Sequence, residues 1–97
     1  MGVVYKRPLA DQDLVSIWLY TWQDWGEAQA DRYLDALERV MQTLAQYPKM
    51  GHERKEFTPA VRMHPHAHHL VVYQPEDDGI TVIRVLHKNM DVESHLD

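Results

Sequence analysis

Between Leu9 and Gln46 the apolar residues recur with helical spacing, and only Asp24-Trp25-Gly26-Glu27 divides the stretch in two. Two helices joined over so short a break must fold back on each other as an αα-hairpin, and the rest of the chain has to pack on that hairpin. In the first helix, introduced by Pro8, the residues Ala10, Leu14, Ile17, Trp18, Thr21, Trp22 and Trp25 cover an arc of roughly 140° at about 100° per residue. Val15 and Leu19 widen it on one side, so this face is broader than burial against a core requires. The second helix, from Glu27 to about Gln46, carries Ala30, Tyr33, Leu34, Leu37, Val40, Met41 and Leu44 as one stripe. Asp31, Asp35, Glu38, Gln42, Arg32 and Arg39 share the opposite face, with Asp35 and Arg39 in the favoured i, i+4 order. Pro48-Lys49-Met50-Gly51 ends this helix.

The remainder is strand-like. Val3-Val4-Tyr5 is a short β-branched and aromatic run. Ala60–Met63 alternates, whereas Leu70–Tyr73 and Ile80–Leu86 are near-continuous apolar runs that fit strands covered on both faces. Pro65 places His64–His68 in a hairpin loop, and Gln74–Gly79 reads as a polar turn. The expected order is β-α-α-β-β-β, an α+β domain with the helical hairpin on one face of a small, mostly antiparallel sheet. The 97 residues form a single domain, 1–97, in which 88–97 is an extension past the last strand.

With no cysteine, disulfides, thiolate metal clusters and thiol catalysis are excluded. No apolar run approaches the ~18 residues of a membrane span. No charged segment followed by an apolar one opens the chain, so a cytoplasmic domain away from membranes is expected. The net charge of −5 opposes nonspecific nucleic-acid binding, which needs Lys and Arg on phosphates. That charge is unevenly spread. The helical half holds Asp11, Asp13, Asp24, Glu27, Asp31, Asp35 and Glu38 against Arg32 and Arg39. Residues 51–88 balance, and the tail beyond 88 holds Asp91, Glu93 and Asp97 with no Lys or Arg.

Three groups of residues are candidates for function. His64, His66, His68 and His69 offer imidazoles that suit zinc, copper or nickel. The usual zinc partners, cysteine or a helical His-Glu-x-x-His, are missing, so neither a metal nor another cofactor is expected. Arg84 interrupts an apolar strand, where an unpartnered guanidinium is costly, so it should reach a rim, a groove or a carboxylate. His87, three residues on, faces the other side of a regular strand. Together with Arg62 these could form a phosphate clamp and a general acid or base for RNA cleavage. The other reading pairs Arg84 with an acidic partner and leaves His87 closing the sheet edge. The third group is Val15, Trp18, Leu19, Trp22 and Trp25. Core packing is expected to take most of it, and a protein interface some of it.

An ordered set of motifs resembles the ParE branch of the ParE/RelE toxin superfamily over nearly the whole chain. It comprises Ala10-x-x-Asp13-Leu14-x-x-Ile17-Trp18-x-Tyr20, Trp25-Gly26-x-x-Gln29-Ala30-x-x-Tyr33 and Leu44-Ala45-x-x-Pro48-x-x-Gly51. It continues with Arg62, His69-Leu70-Val71-Val72-Tyr73, Arg84-Val85-Leu86-His87-x-x-Met90-Asp91, and His95-Leu96 in the tail. The resemblance implies the toxin of a type II toxin–antitoxin module, inhibiting DNA gyrase by binding and neutralised by a ParD-like antitoxin that wraps its helices and sheet. On that basis Val15, Leu19, Trp22, Arg62 and Arg84 are the expected antitoxin contacts. His87, Met90, Asp91, His95 and Leu96 are the expected gyrase contacts. RelE-like relatives instead cut mRNA on the ribosome, and Arg62, Arg84 and His87 are the matching catalytic candidates. Their Lys-rich middle segment and basic tail are absent: here the middle is His52-Glu53-Arg54-Lys55-Glu56 and the tail is acidic. A surface facing ribosomal RNA requires the opposite charge, which favours the non-enzymatic branch with no direct nucleic-acid partner.

Overall fold

The computed structural model describes residues 2–96; Asp97, counted above in the acidic tail and in both domain bounds, lies outside the described residues, as does Met1. The elements run β1 (Val3–Lys6), α1 (Pro8–Trp25), α2 (Glu27–Gln46), β2 (His52–Arg54), β3 (Val61–His66), β4 (His69–Glu76) and β5 (Gly79–His87), followed by a 3-10 turn at Glu93–His95. The five strands form one sheet in the order β1-β5-β4-β3-β2, in which β1 runs parallel to β5 and the other pairs are antiparallel. The short strand β2 corrects the expected order, which lacked it.

Local chemistry explains the helices. Pro8 sits at the first helical position of α1, where its fixed φ and missing N–H cost nothing. A single residue, Gly26, separates α1 from α2. Its φ of +88° suits glycine, its N–H closes α1 on the Trp22 carbonyl, and its carbonyl receives Ala30 N–H to open α2. Ala10, Leu14 and Ile17 of α1 and Leu37, Met41 and Leu44 of α2 are buried against Val71, Tyr73, Ile80, Val82 and Val85 of the sheet. Burial contributes about 1.5–3 kcal/mol for each fully enclosed large aliphatic side chain.

The opposite face of the sheet is also apolar. Val61, Met63, Val72, Ile83 and Leu86 form a second cluster, covered by Phe57 from the β2–β3 connection and by Val92 and Leu96 from the C-terminal segment. The extension therefore folds back as a lid on the outer face. This accounts for the continuous apolar character of β4 and β5.

Two turns differ from the sequence expectation. His64, Pro65 and His66 belong to β3, and the hairpin is a two-residue turn at Ala67-His68. The sheet likewise continues through Gln74, Pro75 and Glu76 to a turn at Asp77-Asp78. Both prolines sit where the neighbouring strand has run out. β2 pairs with β3 only over Val61–Met63, and β3 pairs with β4 only as far as Tyr73. No ladder hydrogen bond is lost at either proline.

Candidate functional site

On α1 the core takes only Ala10, Leu14 and Ile17, which corrects the expectation that it would absorb most of the wide arc. Val15, Leu19 and Trp22, spaced i, i+4, i+7, remain 60%, 49% and 47% exposed. Trp18 is half-buried, and its ring lies parallel to that of Trp22, centroids 6.3 Å apart. The Trp18 indole Nε1 donates to Asp31 Oδ1 of α2 at 2.9 Å, fixing the ring at the seam between the helices. Trp25 at the hairpin tip is exposed. The result is an aromatic and aliphatic strip along the solvent side of the hairpin, with no partner among the described residues.

Arg84 makes the two-pronged pair that an interrupted apolar strand called for. Its Nε donates to Asp13 Oδ2 at 2.7 Å and its second terminal nitrogen to Asp13 Oδ1 at 2.8 Å. Both side chains are about 15% exposed, and the ion pair pushes the Arg84 pKa up further. The remaining guanidinium nitrogen donates to the His95 carbonyl at 3.0 Å, tying the C-terminal lid to α1 through β5. Asp13 Oδ2 also receives Val85 N–H at 2.9 Å. That amide lies on the edge of β5 beyond Val82, where β1 has ended. A register shift at this point leaves Ile83 without a partner on β4. No role for Asp13 is legible in the sequence: it stands in the first family-like motif, and Arg84 calls for a carboxylate without naming which.

Arg62, Arg84 and His87 do not form one site. Arg62 stands opposite Tyr73 on the helix-covered face, whereas Arg84 stands opposite Val72 on the outer face, roughly 10 Å away across two strand spacings. Arg62 donates to the carbonyls of Lys49 and Gly51 and so secures the loop after α2. Its role is shared with Tyr73, whose buried hydroxyl donates to the Pro48 carbonyl at 2.7 Å and accepts Gly51 N–H at 2.8 Å. His87 lies opposite His69, at the far end of the strands, about 13 Å along from the Arg62 row. Its Nδ1 accepts Asn89 N–H at 3.1 Å.

His66, His69 and His87 form a cross-strand row, paired His66 with His69 and His69 with His87. Tyr33 of α2 reaches into this row, its hydroxyl 2.6 Å from His69 Nδ1. Partial burial, reinforced by repulsion from His87, His68 and His66, lowers the His69 pKa to about 4. The neutral ring and the Tyr33 hydroxyl share one hydrogen bond, and burial raises the Tyr33 pKa. Among the described residues no three His, Asp or Glu side chains are grouped to hold a metal ion.

In the C-terminal segment Met90 and Asp91 are exposed, His95 and Leu96 half-buried. Asp91 caps the final turn, accepting Glu93 N–H and the Ser94 hydroxyl. No helix among the described residues is long and apolar enough to cross a membrane.

A helical hairpin laid on one face of a five-stranded mixed sheet is the architecture of a solved toxin–antitoxin structure. The structure titled "Chromosomal ParDE TA system from P. aeruginosa" superposes with a TM-score of 0.73 at 18% identity, over 90% of this chain and 96% of that one. The family model described as ParE toxin of type II toxin-antitoxin system, parDE, matches residues 4–92. The chain belongs to this ParE toxin family. It is 36% identical to Toxin ParE1 of Mycobacterium tuberculosis over 90 residues, 92% of each chain. It is 33% identical to Toxin ParE1 of Caulobacter vibrioides over 87 residues, 90% of each chain. Against Toxin ParE of Escherichia coli it is 35% identical over 88 residues, 90% of this chain and 85% of the relative.

Proposed function

We propose that this ParE-family toxin acts by protein–protein binding: it inhibits DNA gyrase and is held inactive by a ParD-like antitoxin. The observation that carries this reading is the unpartnered strip Val15, Leu19 and Trp22, an apolar helix face of the kind that receives an amphipathic segment. Of the expected antitoxin contacts, these three form the docking surface. Arg62 and Arg84 are occupied with the Lys49 and Gly51 carbonyls and with Asp13, and they act as supports of the fold. Gyrase contact is assigned to half-buried His87 at the end of β5 and to exposed Met90 and Asp91 of the C-terminal segment, with His95 and Leu96 anchoring that segment to the sheet.

Ribosome-dependent mRNA cleavage has less support. It needs Arg62, Arg84 and His87 around one phosphate, and they lie on two faces and at different heights of the sheet. The acidic tail adds charge of the wrong sign.

The test has two arms. Purified toxin should stabilise gyrase-cleaved DNA and leave transcripts intact; unimpaired gyrase at saturating toxin refutes the reading. Leu19→Asp, on a face that contributes nothing to the core, should weaken antitoxin binding at least tenfold while far-UV circular dichroism and Tm stay unchanged.

A further inference from the structure

The seven carboxylates of the helical half do not share one fate. Asp13 is consumed by Arg84 and Glu38 by Lys6 Nζ at 2.7 Å. Asp11, Asp24, Glu27, Asp31 and Asp35 are exposed, and none makes an ion pair among the described residues. The Asp35–Arg39 pair expected from spacing is not formed either, and Arg32 is turned to Gln29.

Three of these free carboxylates, Asp11, Asp31 and Asp35, bear on the apolar strip. The Trp18–Asp31 hydrogen bond places Asp31 on the side of α2 next to α1, and Glu38, two turns on, reaches Lys6 of β1. One turn after Asp31, Asp35 continues that row. The strip's own helix adds Asp11, which projects between Trp18 and Trp22 on a helical projection at about 100° per residue. The hairpin therefore presents a two-walled surface: stacked indoles and aliphatics from α1, carboxylates from α2. The Trp18 N–H is already satisfied, so what Trp18 offers an incoming chain is ring face.

We infer that the segment docking here is a basic amphipathic helix. Its aliphatic side chains lie along Val15, Leu19 and Trp22, and its Arg or Lys residues lie over the Trp18–Trp22 pair and against Asp31 and Asp35. This rests on the antitoxin reading above and specifies the chemistry of the antitoxin's docking segment. An acidic or neutral segment would bury uncompensated carboxylates beside it and gain nothing from the indole faces. A cationic one gains charge pairing, cation–π contact and faster encounter.

The test uses the full-length toxin and its cognate antitoxin. Asp31→Asn with Asp35→Asn removes both charges, keeps an oxygen acceptor for Trp18 Nε1, and lies away from the core. Affinity should fall about threefold for each carboxylate, roughly tenfold together, at low salt. Raising NaCl from about 0.1 to 0.5 M should weaken the unmodified complex more than the variant one. Unchanged or tighter binding by the double variant, with Leu19→Asp still disruptive, overturns the basic-segment inference and leaves the antitoxin reading standing. If Leu19→Asp is also without effect, that reading falls with it. Self-association of the isolated toxin that Leu19→Asp abolishes assigns the face to a second copy. Loss of gyrase inhibition in the double variant with antitoxin binding intact assigns it to gyrase. Either result overturns the inference.

Discussion

Tyr73 shows how a single polar atom in the core can hold a loop. Its ring is fully buried, and its hydroxyl serves both Pro48 and Gly51. Tyr73→Phe would leave the Gly51 N–H without a partner beneath the loop, and is expected to lower the unfolding free energy by about 1–3 kcal/mol in urea titration. His69 gives a prediction with a defined pH window. An ordinary histidine takes up its proton near pH 6.5, but His69 does so only at about 4. Between those values the unfolded chain carries the extra proton, so acidification favours unfolding. This contribution is whole above pH 6.5 and fades as the pH falls toward 4. With the half-exposed ring screened by solvent, the loss should be about 1–2 kcal/mol. His69→Gln should show a shallower loss over that range in thermal melts at stepped pH. Neither role was legible in the sequence: a tyrosine in an apolar run reads as core, and a histidine run reads as a metal loop or an exposed tip. Only the register places His69 under Tyr33.

At the scale of elements, local patterning carried far. The second helix was expected from Glu27 to about Gln46, where it lies, because an unbroken amphipathic stripe bounded by Gly26 and Pro48 leaves little freedom. The missing strand was β2, three polar residues that pair only through their backbone and leave no hydrophobic signature. The misplaced turns have one cause: proline breaks a strand only where a neighbour needs its N–H, and at the ends of β3 and β4 no neighbour does. The strip on α1 is visible as excess width of an apolar arc, but which residues the core leaves outside depends on the sheet, against which α1 buries Ala10, Leu14 and Ile17. The β3–β4 turn holds Ala67 at φ +50°, the first central position of a two-residue hairpin, where glycine is the favoured residue. Ala67→Gly should raise stability by about 0.5–1 kcal/mol, read as a Tm increase of a few degrees.

The whole molecule is a three-layer assembly in which the third layer is small: among the described residues, its apolar side chains on the outer face are Phe57, Val92 and Leu96. Truncation after Met90 removes two of these and the Arg84–His95 tie. It should cost about 2–3 kcal/mol by apolar exposure alone, with increased binding of a hydrophobic dye to the sheet. The truncation also separates two properties, because the strip on α1 is untouched: antitoxin capture should persist while gyrase inhibition is lost. The sheet itself closes one of its own boundaries. Because β1 stops at Lys6, the last part of β5 would otherwise offer a bare ribbon edge to other chains. The Asp13 carboxylate takes the Val85 amide there, and the bulge at Ile83 breaks the spacing of the remaining groups. A charged helix residue thus works as a gatekeeper against edge-to-edge polymerisation, giving a chain alone in solution colloidal protection on that side.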